Sequence, residues 1–220
     1  MSTDPKFQKW LKWIEQIRDD TESLLINKAI HKRYLEIVKA NPDIQSPSDF
    51  HEWTVRNYGS YMVMGIRRQL DTDSDVISLR RLLKELKDNP SLLTKKWFRT
   101  LYSSLEDKMP IPAESFADGD FERHAGKLEH FDPKIAEDDL AKLGELGKNI
   151  ITFANKKLAH NTTVQVTVTF NEINAFFEEF EKIVMKYILI FTAAGYDSLT
   201  PTWGYDWDEV FTKPWVKIDK

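Results

Sequence analysis

The stretch of sequence that decides the fold spans residues 169–194 and reads TFNEINAFFEEFEKIVMKYILIFTAA. Thr169 and Glu172 have the spacing of a capping box, in which two side chains satisfy free backbone N–H groups at the start of a helix. Large apolar residues then recur at every third or fourth position, which places them on one face of an α-helix. They are Ile173, Phe176, Phe177, Phe180, Ile183, Val184, Tyr187 and Phe191. This segment therefore predicts a long amphipathic helix with a wide apolar face to bury.

Apolar residues recur at helical spacing along most of the remaining chain. The spacing predicts further helices over 5–40, 47–70, 76–88, 90–106 and 133–160. Four of these helices are predicted to begin where a capping residue precedes Pro, because the cap accepts a first-turn N–H and Pro is tolerated at the first helical position. The pairs are Asp4-Pro5, Ser46-Pro47, Asn89-Pro90 and Asp132-Pro133. Asn41-Pro42 predicts a helix end, since the residue before Pro avoids helical angles. We predict an all-α fold.

Three segments depart from helical spacing. Residues 107–131 hold two Pro, two Gly and an excess of acidic residues, which predicts a long acidic loop. Residues 163–168 alternate with period two, which is typical of a strand, or of an extended connector where no second strand pairs with it. The tail is rich in aromatic residues, namely Trp203, Tyr205, Trp207, Phe211 and Trp215. We expect a helical domain over 1–195 and an aromatic tail over 196–220 that packs on the domain or on a dimer partner.

The composition excludes several classes of protein. The 220 residues include 31 Lys and Arg against 35 Asp and Glu, so the formal charge is −4, and Cys is absent. Disulfides, thiolate zinc sites and a Cys nucleophile are therefore excluded. Phosphate-binding Gly-rich loops are missing, and Asp118-Gly119-Asp120 with Glu122 lacks the ligand ladder of a calcium loop. No apolar run reaches membrane-span length and no secretory signal precedes the first helix. We expect a cytoplasmic protein without membrane, metal or cofactor.

A basic segment precedes the acidic one. Residues 61–100 carry nine basic and five acidic residues, whereas residues 101–150 carry six basic and twelve acidic residues. Two Arg pairs, Arg67-Arg68 and Arg80-Arg81, are separated by a turn and are suited to line a groove that binds phosphate, since the planar guanidinium matches phosphate oxygens. Solvated helix faces that pair with the acidic segment explain the same counts. Both interpretations stay open at the level of sequence.

The most informative candidate site is Asn155-Lys156-Lys157-Leu158-Ala159-His160, at the predicted end of a helix. Lys156 and Lys157 place positive charge in the last turn, where the helix dipole is negative. His160 falls where the helix stops and is predicted to be exposed, so its imidazole can exchange protons near neutral pH. A histidine that only stabilises the helix end is the alternative.

These residues resemble the HEPN superfamily, whose hallmark is Arg, four to six further residues and then His. The stretch Gly65-Ile66-Arg67-Arg68-Gln69-Leu70-Asp71-Thr72-Asp73, followed by Ile77-Ser78-Leu79-Arg80-Arg81-Leu82-Leu83, is similar to the AbiU-type family of phage abortive-infection proteins. The resemblance covers roughly residues 10–195 and leaves the aromatic tail outside it.

The resemblance implies a helical bundle that dimerises and brings two motifs into one cleft. Active HEPN proteins are metal-independent ribonucleases in which His and Arg promote attack of the ribose 2′-hydroxyl on the adjacent phosphate. His160 matches the motif His. The motif Arg does not carry over, because its place is held by Ala154 or Asn155. The chain is then a non-cleaving relative, an inactivated form, or an enzyme whose cation comes from Arg67, Arg68 or a partner subunit.

Two hypotheses follow. In the first, a HEPN-like phage-defence or toxin-type protein acts on RNA across a homodimer cleft, with His160 as the proton-transfer residue and Asn155 orienting substrate or His160. Phosphate would be bound by Lys156, Lys157, Arg67, Arg68, Arg80 and Arg81. A cognate antitoxin or another defence protein is a further expected partner. In the second, the chain is a non-catalytic helical interaction module that binds a protein or RNA through its tail aromatics and basic helices.

Overall fold

The computed structural model describes residues 4–103, 113–160, 162–163 and 165–213. The α-helices of this part are α1 (Pro5–Ala40), α2 (Asp49–Gln69), α3 (Leu79–Asp88), α4 (Lys95–Ser103), α5 (Ala113–Ala125), α6 (Pro133–Phe153) and α7 (Phe170–Thr192). Short 3₁₀ turns cover Pro42–Ile44, Pro90–Leu92 and Trp207–Thr212, and a π-helical turn covers Ala154–Leu158. Since these described ranges hold no β-strand, the predicted all-α fold class is confirmed.

Helix α7 is the centre of the bundle. Its capping box is present: Glu172 N donates to Thr169 Oγ1 at 3.2 Å, and Thr169 N donates to Glu172 Oε2 at 2.7 Å. The apolar face is buried along the full length of the helix, and α1 and α6 pack on it. Phe176 and Phe180 are stacked with ring centroids 5.4 Å apart, and both meet the Phe177 ring edge to face. Such a face supplies most of the hydrophobic stabilisation of a bundle.

The starts of the helices follow the capping signals only in part. Asp4 and Asp132 cap α1 and α6 as predicted, each with Pro at the first helical position, and α1 ends before Asn41 as predicted. Ser48, not Ser46, caps α2. The Asn89-Pro90 pair opens only a short 3₁₀ turn, and no side-chain hydrogen bond caps that turn. The hydroxyls of Ser48 and Thr94 cap α2 and α4 instead. Each hydroxyl oxygen accepts a hydrogen bond from the N–H of the third helical residue.

The predicted long acidic loop over 107–131 is wrong for most of its length. Helix α5 occupies Ala113–Ala125, while residues 107–112 lie outside the described part of the chain. The buried residues Ala117, Phe121 and Ala125 are four apart and form a narrow apolar stripe. Gly119 and the many acidic residues hide this stripe in the sequence.

The acidic residues of α5 pair with basic residues of α4 instead of facing water alone. Arg99 donates to both carboxylate oxygens of Asp118 at 2.7 Å, and Lys95 Nζ lies 3.0 Å from Glu122 Oε1. Tyr102 donates to Asp120 Oδ2 at 2.6 Å. A two-point Arg–carboxylate contact fixes orientation as well as charge. The opposite charges of the two sequence segments therefore hold α4 and α5 together.

The period-two segment forms no strand within the described residues 162–163 and 165–169, which confirms the extended-connector alternative. Asn149 Nδ2 fastens it by donating to Thr167 O at 2.8 Å. The tail returns to the bundle: Leu199 is buried, and Arg33 Nε lies 2.7 Å from Asp208 Oδ2. Trp215 lies outside the described residues.

Two glycines let α2 approach its neighbours closely. A Cβ atom built on Gly65 would lie 2.3 Å from Leu24 Cδ2 of α1, and one built on Gly147 of α6 would lie 2.3 Å from Leu70 Cδ1 at the end of α2. Both leucines are buried in the core, so they have little room to move aside. Gly65 thus lets α2 approach α1, and Gly147 lets the carboxyl end of α2 approach α6.

We expect Gly147→Val to lower the free energy of unfolding by roughly 1–3 kcal/mol, because the added carbons overpack the contact with Leu70. Gly144→Val is the matched control on the same helix, since a Cβ there meets nothing within 4 Å. Val and Gly differ little in helix propensity, so the control should change stability by less than about 0.5 kcal/mol. Urea titration followed by circular dichroism measures both. Equal effects at the two positions would contradict the close α2–α6 contact.

Candidate functional site

A network of buried polar groups fixes the corner between α2 and α3. The buried side chain of Gln69 accepts from Leu79 N at 3.1 Å and donates to Asp20 Oδ2 of α1 at 3.0 Å. Ser78 Oγ donates to Asp71 O at 2.6 Å and accepts from Arg81 N at 3.1 Å as the cap of α3. Buried polar groups satisfied in this way rigidify their surroundings. The corner therefore holds the last turn of α2 in one orientation.

The turn that follows α6 is a π-turn, closed by the hydrogen bond from Ala159 N to Ala154 O at 2.9 Å. In a π-turn the bond spans five residues, whereas an α-helix has 3.6 residues per turn. Residues five apart are therefore brought towards the same side of the helix. Asn155 lies within this turn, and His160 follows two residues after the turn ends at Leu158. Turns of this kind are common at helix C-termini.

A guanidinium from α2 reaches this turn. Arg67 Nε donates to Asn155 Oδ1 at 2.8 Å. The other guanidinium nitrogens of Arg67 have no hydrogen-bond or ion-pair partner within the described ranges. Arg67 is half-buried, which limits its rotamers and shields its charge from solvent. The arrangement presents the free edge of the guanidinium beside the helix end that carries His160.

The remaining predicted site residues near the turn differ in whether their side chains are free to contact a ligand. His160 is exposed, and its imidazole has no hydrogen-bond or ion-pair partner in the part of the chain that the structure describes. Lys156 is exposed as well, while Lys157 Nζ donates to Thr162 O at 2.9 Å. Thr162 also bonds Lys156 O through its N and Oγ1 atoms, at 3.1 and 3.0 Å. Lys157 thus closes the helix end, and Lys156 is the freer cation.

The other three predicted arginines hold the fold at the α2–α3 corner. Arg68 Nε lies 3.4 Å from Asp20 Oδ2, and Arg80 Nη1 donates to Leu70 O at 3.4 Å. Arg81 donates to Val76 O at 2.6 Å, and its guanidinium carbon lies 4.5 Å from the centre of the Trp13 ring. Of the four arginines predicted to line one phosphate groove, Arg67 is the one that contacts the π-turn.

Comparison with known proteins bears on this arrangement. The chain matches the family model HEPN_AbiU2, described as AbiU2, over residues 7–212. The protein belongs to the HEPN_AbiU2 family. The suspected AbiU-type resemblance is thereby confirmed, and it extends beyond the predicted limits into the aromatic tail. Comparison with curated proteins and with solved structures gives no match.

As a HEPN_AbiU2 member, the chain is of the abortive-infection HEPN type. The hallmark Arg position nevertheless holds no cation, since Ala154 is fully buried in the core and Asn155 follows it. The described residues contain no cluster of three or more potential metal ligands. None of the described helices combines the length and the apolar character needed to cross a membrane.

Two features of the structure have no counterpart among the sequence-based predictions. The Arg67–Asn155 contact joins residues 88 positions apart, and no local pattern signals it. A cavity between α1, α2 and the tail was also missed, although its aromatic residues follow helical spacing, as at His31 and Tyr34 or at Tyr58 and Tyr61. That spacing was the signal that could have found it.

We expect Arg81→Ala to lower the free energy of unfolding by about 1–3 kcal/mol, because it removes a half-buried hydrogen bond and a cation–π contact. Arg68→Ala is the control in the same corner: that side chain is 53% exposed, and its ion pair with Asp20 contributes less than about 1 kcal/mol. Guanidinium denaturation measures both variants. If Arg81→Ala leaves the free energy of unfolding unchanged, Arg81 is not required for the fold and is again a candidate phosphate-binding residue.

Proposed function

We propose that this HEPN_AbiU2 protein is an RNA-acting defence protein and a metal-independent endoribonuclease. His160 transfers the proton, and Arg67 supplies the cation that the motif position lacks. The Arg67–Asn155 hydrogen bond carries the proposal, since it places a guanidinium at the π-turn that ends two residues before His160. Family membership supports the HEPN-type role in abortive infection.

The chemistry follows from the groups that this end of the bundle presents. His160 removes the proton from a ribose 2′-hydroxyl, the 2′-oxygen attacks the adjacent phosphorus, and the bond to the 5′-oxygen breaks. The leaving 5′-oxygen takes a proton from the protonated imidazole that a second copy of the chain brings to the shared cleft, and a 2′,3′-cyclic phosphate remains on the other fragment. Arg67 stabilises the charge that develops on the phosphate oxygens. No cofactor takes part in this scheme.

Asn155 is a positioning residue in this scheme. Its amide oxygen holds Arg67 Nε, which leaves the two terminal nitrogens of the guanidinium to contact phosphate oxygens as a fork. Lys156 adds charge that attracts the RNA backbone, and Lys157 supports the turn by its bond to Thr162. The positive field around the site also comes from Arg68, Arg80 and Arg81. These three residues do not take part in the two-point contact between Arg67 and phosphate.

The proposed enzyme is a homodimer whose two turns share one cleft. Leu158, Ala159 and His160 are all exposed at this end of the bundle, and Leu158 adds apolar surface that a second copy can cover. Ala159 has a small side chain that permits close approach. RNA bound between two such turns would meet two imidazoles and two guanidinium groups.

We expect His160→Ala to lower the rate of RNA cleavage in EDTA by about 10²–10⁴-fold, the usual loss on removing a general acid–base group. Arg67→Gln should cost about 10²–10³-fold, because one charge-stabilising donor group is lost. The measurement is the appearance of 2′,3′-cyclic phosphate ends from a structured RNA pool.

Two control variants match these substitutions. His124→Ala removes a half-buried imidazole from α5, and Arg56→Gln removes a guanidinium that is 77% exposed on α2. Both should leave the cleavage rate within about twofold of the parent, since surface changes away from a site have small effects. Loss of activity in the controls, or unchanged activity in His160→Ala, would sink the proposed mechanism.

The buried Ala154 favours the second hypothesis, a non-catalytic interaction module, because the hallmark cation position has no cation. The same experiment separates the two. RNA that stays intact in EDTA and with Mg²⁺, although the protein binds it, supports the module.

Sedimentation equilibrium should give twice the mass of the chain if the exposed end of α6 is a protomer contact. Ala159→Arg should shift the equilibrium towards monomer, since a long charged side chain is costly in an interface core. A parent protein that sediments as a monomer at all concentrations tested contradicts the shared cleft.

A further inference from the structure

A ring-lined cavity of about 750 Å³ lies between α1, α2 and the tail. This volume is in the range of sites that hold small organic ligands. Six of its thirteen lining residues carry Phe, Tyr or Trp rings, namely Tyr34, Phe50, Trp53, Tyr58, Tyr61 and Phe211. The tail contributes Phe211 from the turn Trp207–Thr212, which the Arg33–Asp208 ion pair holds against α1. The predicted aromatic tail therefore completes a concave surface.

Several of these rings present their faces or edges to solvent. Trp53 is 60% exposed and Phe50 is 49% exposed, and their rings are stacked with centroids 6.0 Å apart. Such surface is costly to leave in water, and contiguous patches of it mark binding sites. Flat aromatic faces favour flat ligands, since stacking buries both faces at once.

The polar groups of the cavity are neutral and partly unused. None of its described lining residues is Lys, Arg, Asp or Glu. Asn27 and Asn57 each donate one amide hydrogen to a backbone oxygen of their own helix, at 2.9 Å. Their amide oxygens have no partner within the described part of the chain. They are available to accept hydrogen bonds from the edge of a ligand.

His31 forms part of one wall. Its ring lies flat on Tyr58, with centroids 3.7 Å apart and planes 5° apart. Its Nε2 atom is buried and has no hydrogen-bond partner among the described residues. Burial lowers the pKa of His31, so the ring is neutral at neutral pH and offers one donor and one acceptor.

A basic cavity adjoins the neutral one. Its volume is about 520 Å³, and it shares His31 and Tyr58 with the first cavity. Lys28, Lys32 and Lys39 line it from α1, together with two Glu residues. A ligand with a flat uncharged part and an anionic part fits this pair of cavities, because the rings receive the flat part and the lysines attract the anion.

Helix α2 connects the ring-lined cavity to the candidate active site. Tyr61 and Met64 line the cavity, and Arg67 follows three residues after Met64 on the same side of the helix. At about 1.5 Å per residue, Tyr61 and Arg67 are roughly 9 Å apart along the axis. That distance corresponds to about two or three nucleotides at about 3.4 Å per stacked nucleotide.

We infer that the ring-lined cavity is a subsite for an unpaired base of single-stranded RNA, two or three nucleotides from the phosphate that Arg67 contacts. This inference rests on the proposed function for its choice of RNA. The base stacks on the aromatic wall and bonds the amide groups of Asn27 and Asn57, while the basic cavity holds the neighbouring phosphate. Recognition of unpaired bases on aromatic side chains is a general mode of single-strand binding.

The test uses a fluorescent adenine octamer with 2′-O-methyl riboses, which the 2′-hydroxyl chemistry cannot cleave, and an abasic octamer of the same length. Tyr61→Ala should weaken binding of the adenine octamer roughly 5- to 150-fold, the range for loss of one stacked base. Tyr196→Ala is the matched control, because the two side chains are 44% and 42% exposed and Tyr196 lies outside the cavity. Fluorescence anisotropy measures affinity, and thermal unfolding verifies that each variant is folded.

Four outcomes decide the matter. Weakening by Tyr61→Ala but not by Tyr196→Ala, at both low and high salt and not for the abasic octamer, supports the base subsite. Equal affinity of all variants overturns it, even where the parent enzyme cleaves RNA through His160. Base-dependent binding without any cleavage keeps the subsite and removes the ribonuclease. A change in oligomeric state on Tyr61→Ala, with RNA affinity unchanged, identifies the cavity face as a protein contact and overturns the subsite.

Discussion

The close approach of α2 to α6 is the constraint on which the candidate site depends. It exists because Gly147 has no side chain where Leu70 packs. The Cβ atom of any other residue at this position would displace the Leu70 side chain. Arg67 is one turn before Leu70, and Asn155 is about two turns after Gly147. The helix contact therefore sets the distance over which Arg67 reaches the π-turn. The polar network around Gln69 adds direction, since it fixes the corner that follows.

The sequence predicts the helices that have a wide apolar face and capping residues at their ends. Helices α1 and α7 follow their predicted bounds closely, since a long apolar stripe and a cap with the right spacing point to the same answer. Helix α6 begins at Pro133 as predicted but ends at Phe153, before the predicted end at residue 160, because the π-turn follows. Helix α5 was missed because its apolar stripe is narrow and three of its acidic residues act through partners on α4. Asp118 is an example: its role is visible only beside Arg99, which is distant in sequence. Hydrophobic periodicity indicates which residues are buried, but it does not indicate which charged residues form ion pairs.

The candidate site was predictable in its local parts and not in its assembly. His160, Asn155 and the lysines follow from one helix end, so sequence analysis could name them. The role of Arg67 depends on the packing of two helices. Its neighbour Arg68 has the same side chain and the same charge, so the sequence does not distinguish the two. Structure separates the two: Arg67 lies half-buried against Asn155, whereas Arg68 pairs with Asp20 at the surface. The same holds for Arg81, whose contact with Trp13 makes it part of the fold.

The π-turn explains why the hallmark arginine position of this chain is compatible with alanine. Ala154 is fully buried at the point where α6 passes into the turn, and a guanidinium there would have to be desolvated without a carboxylate partner. The next residue, Asn155, faces α2 and is neutral, so it can hold a guanidinium by a hydrogen bond instead of carrying the charge itself. In the proposed site the cation therefore comes from the neighbouring helix and not from the helix of the histidine. Because α2 also carries most of the aromatic residues of the ring-lined cavity, one helix connects the two proposed surfaces.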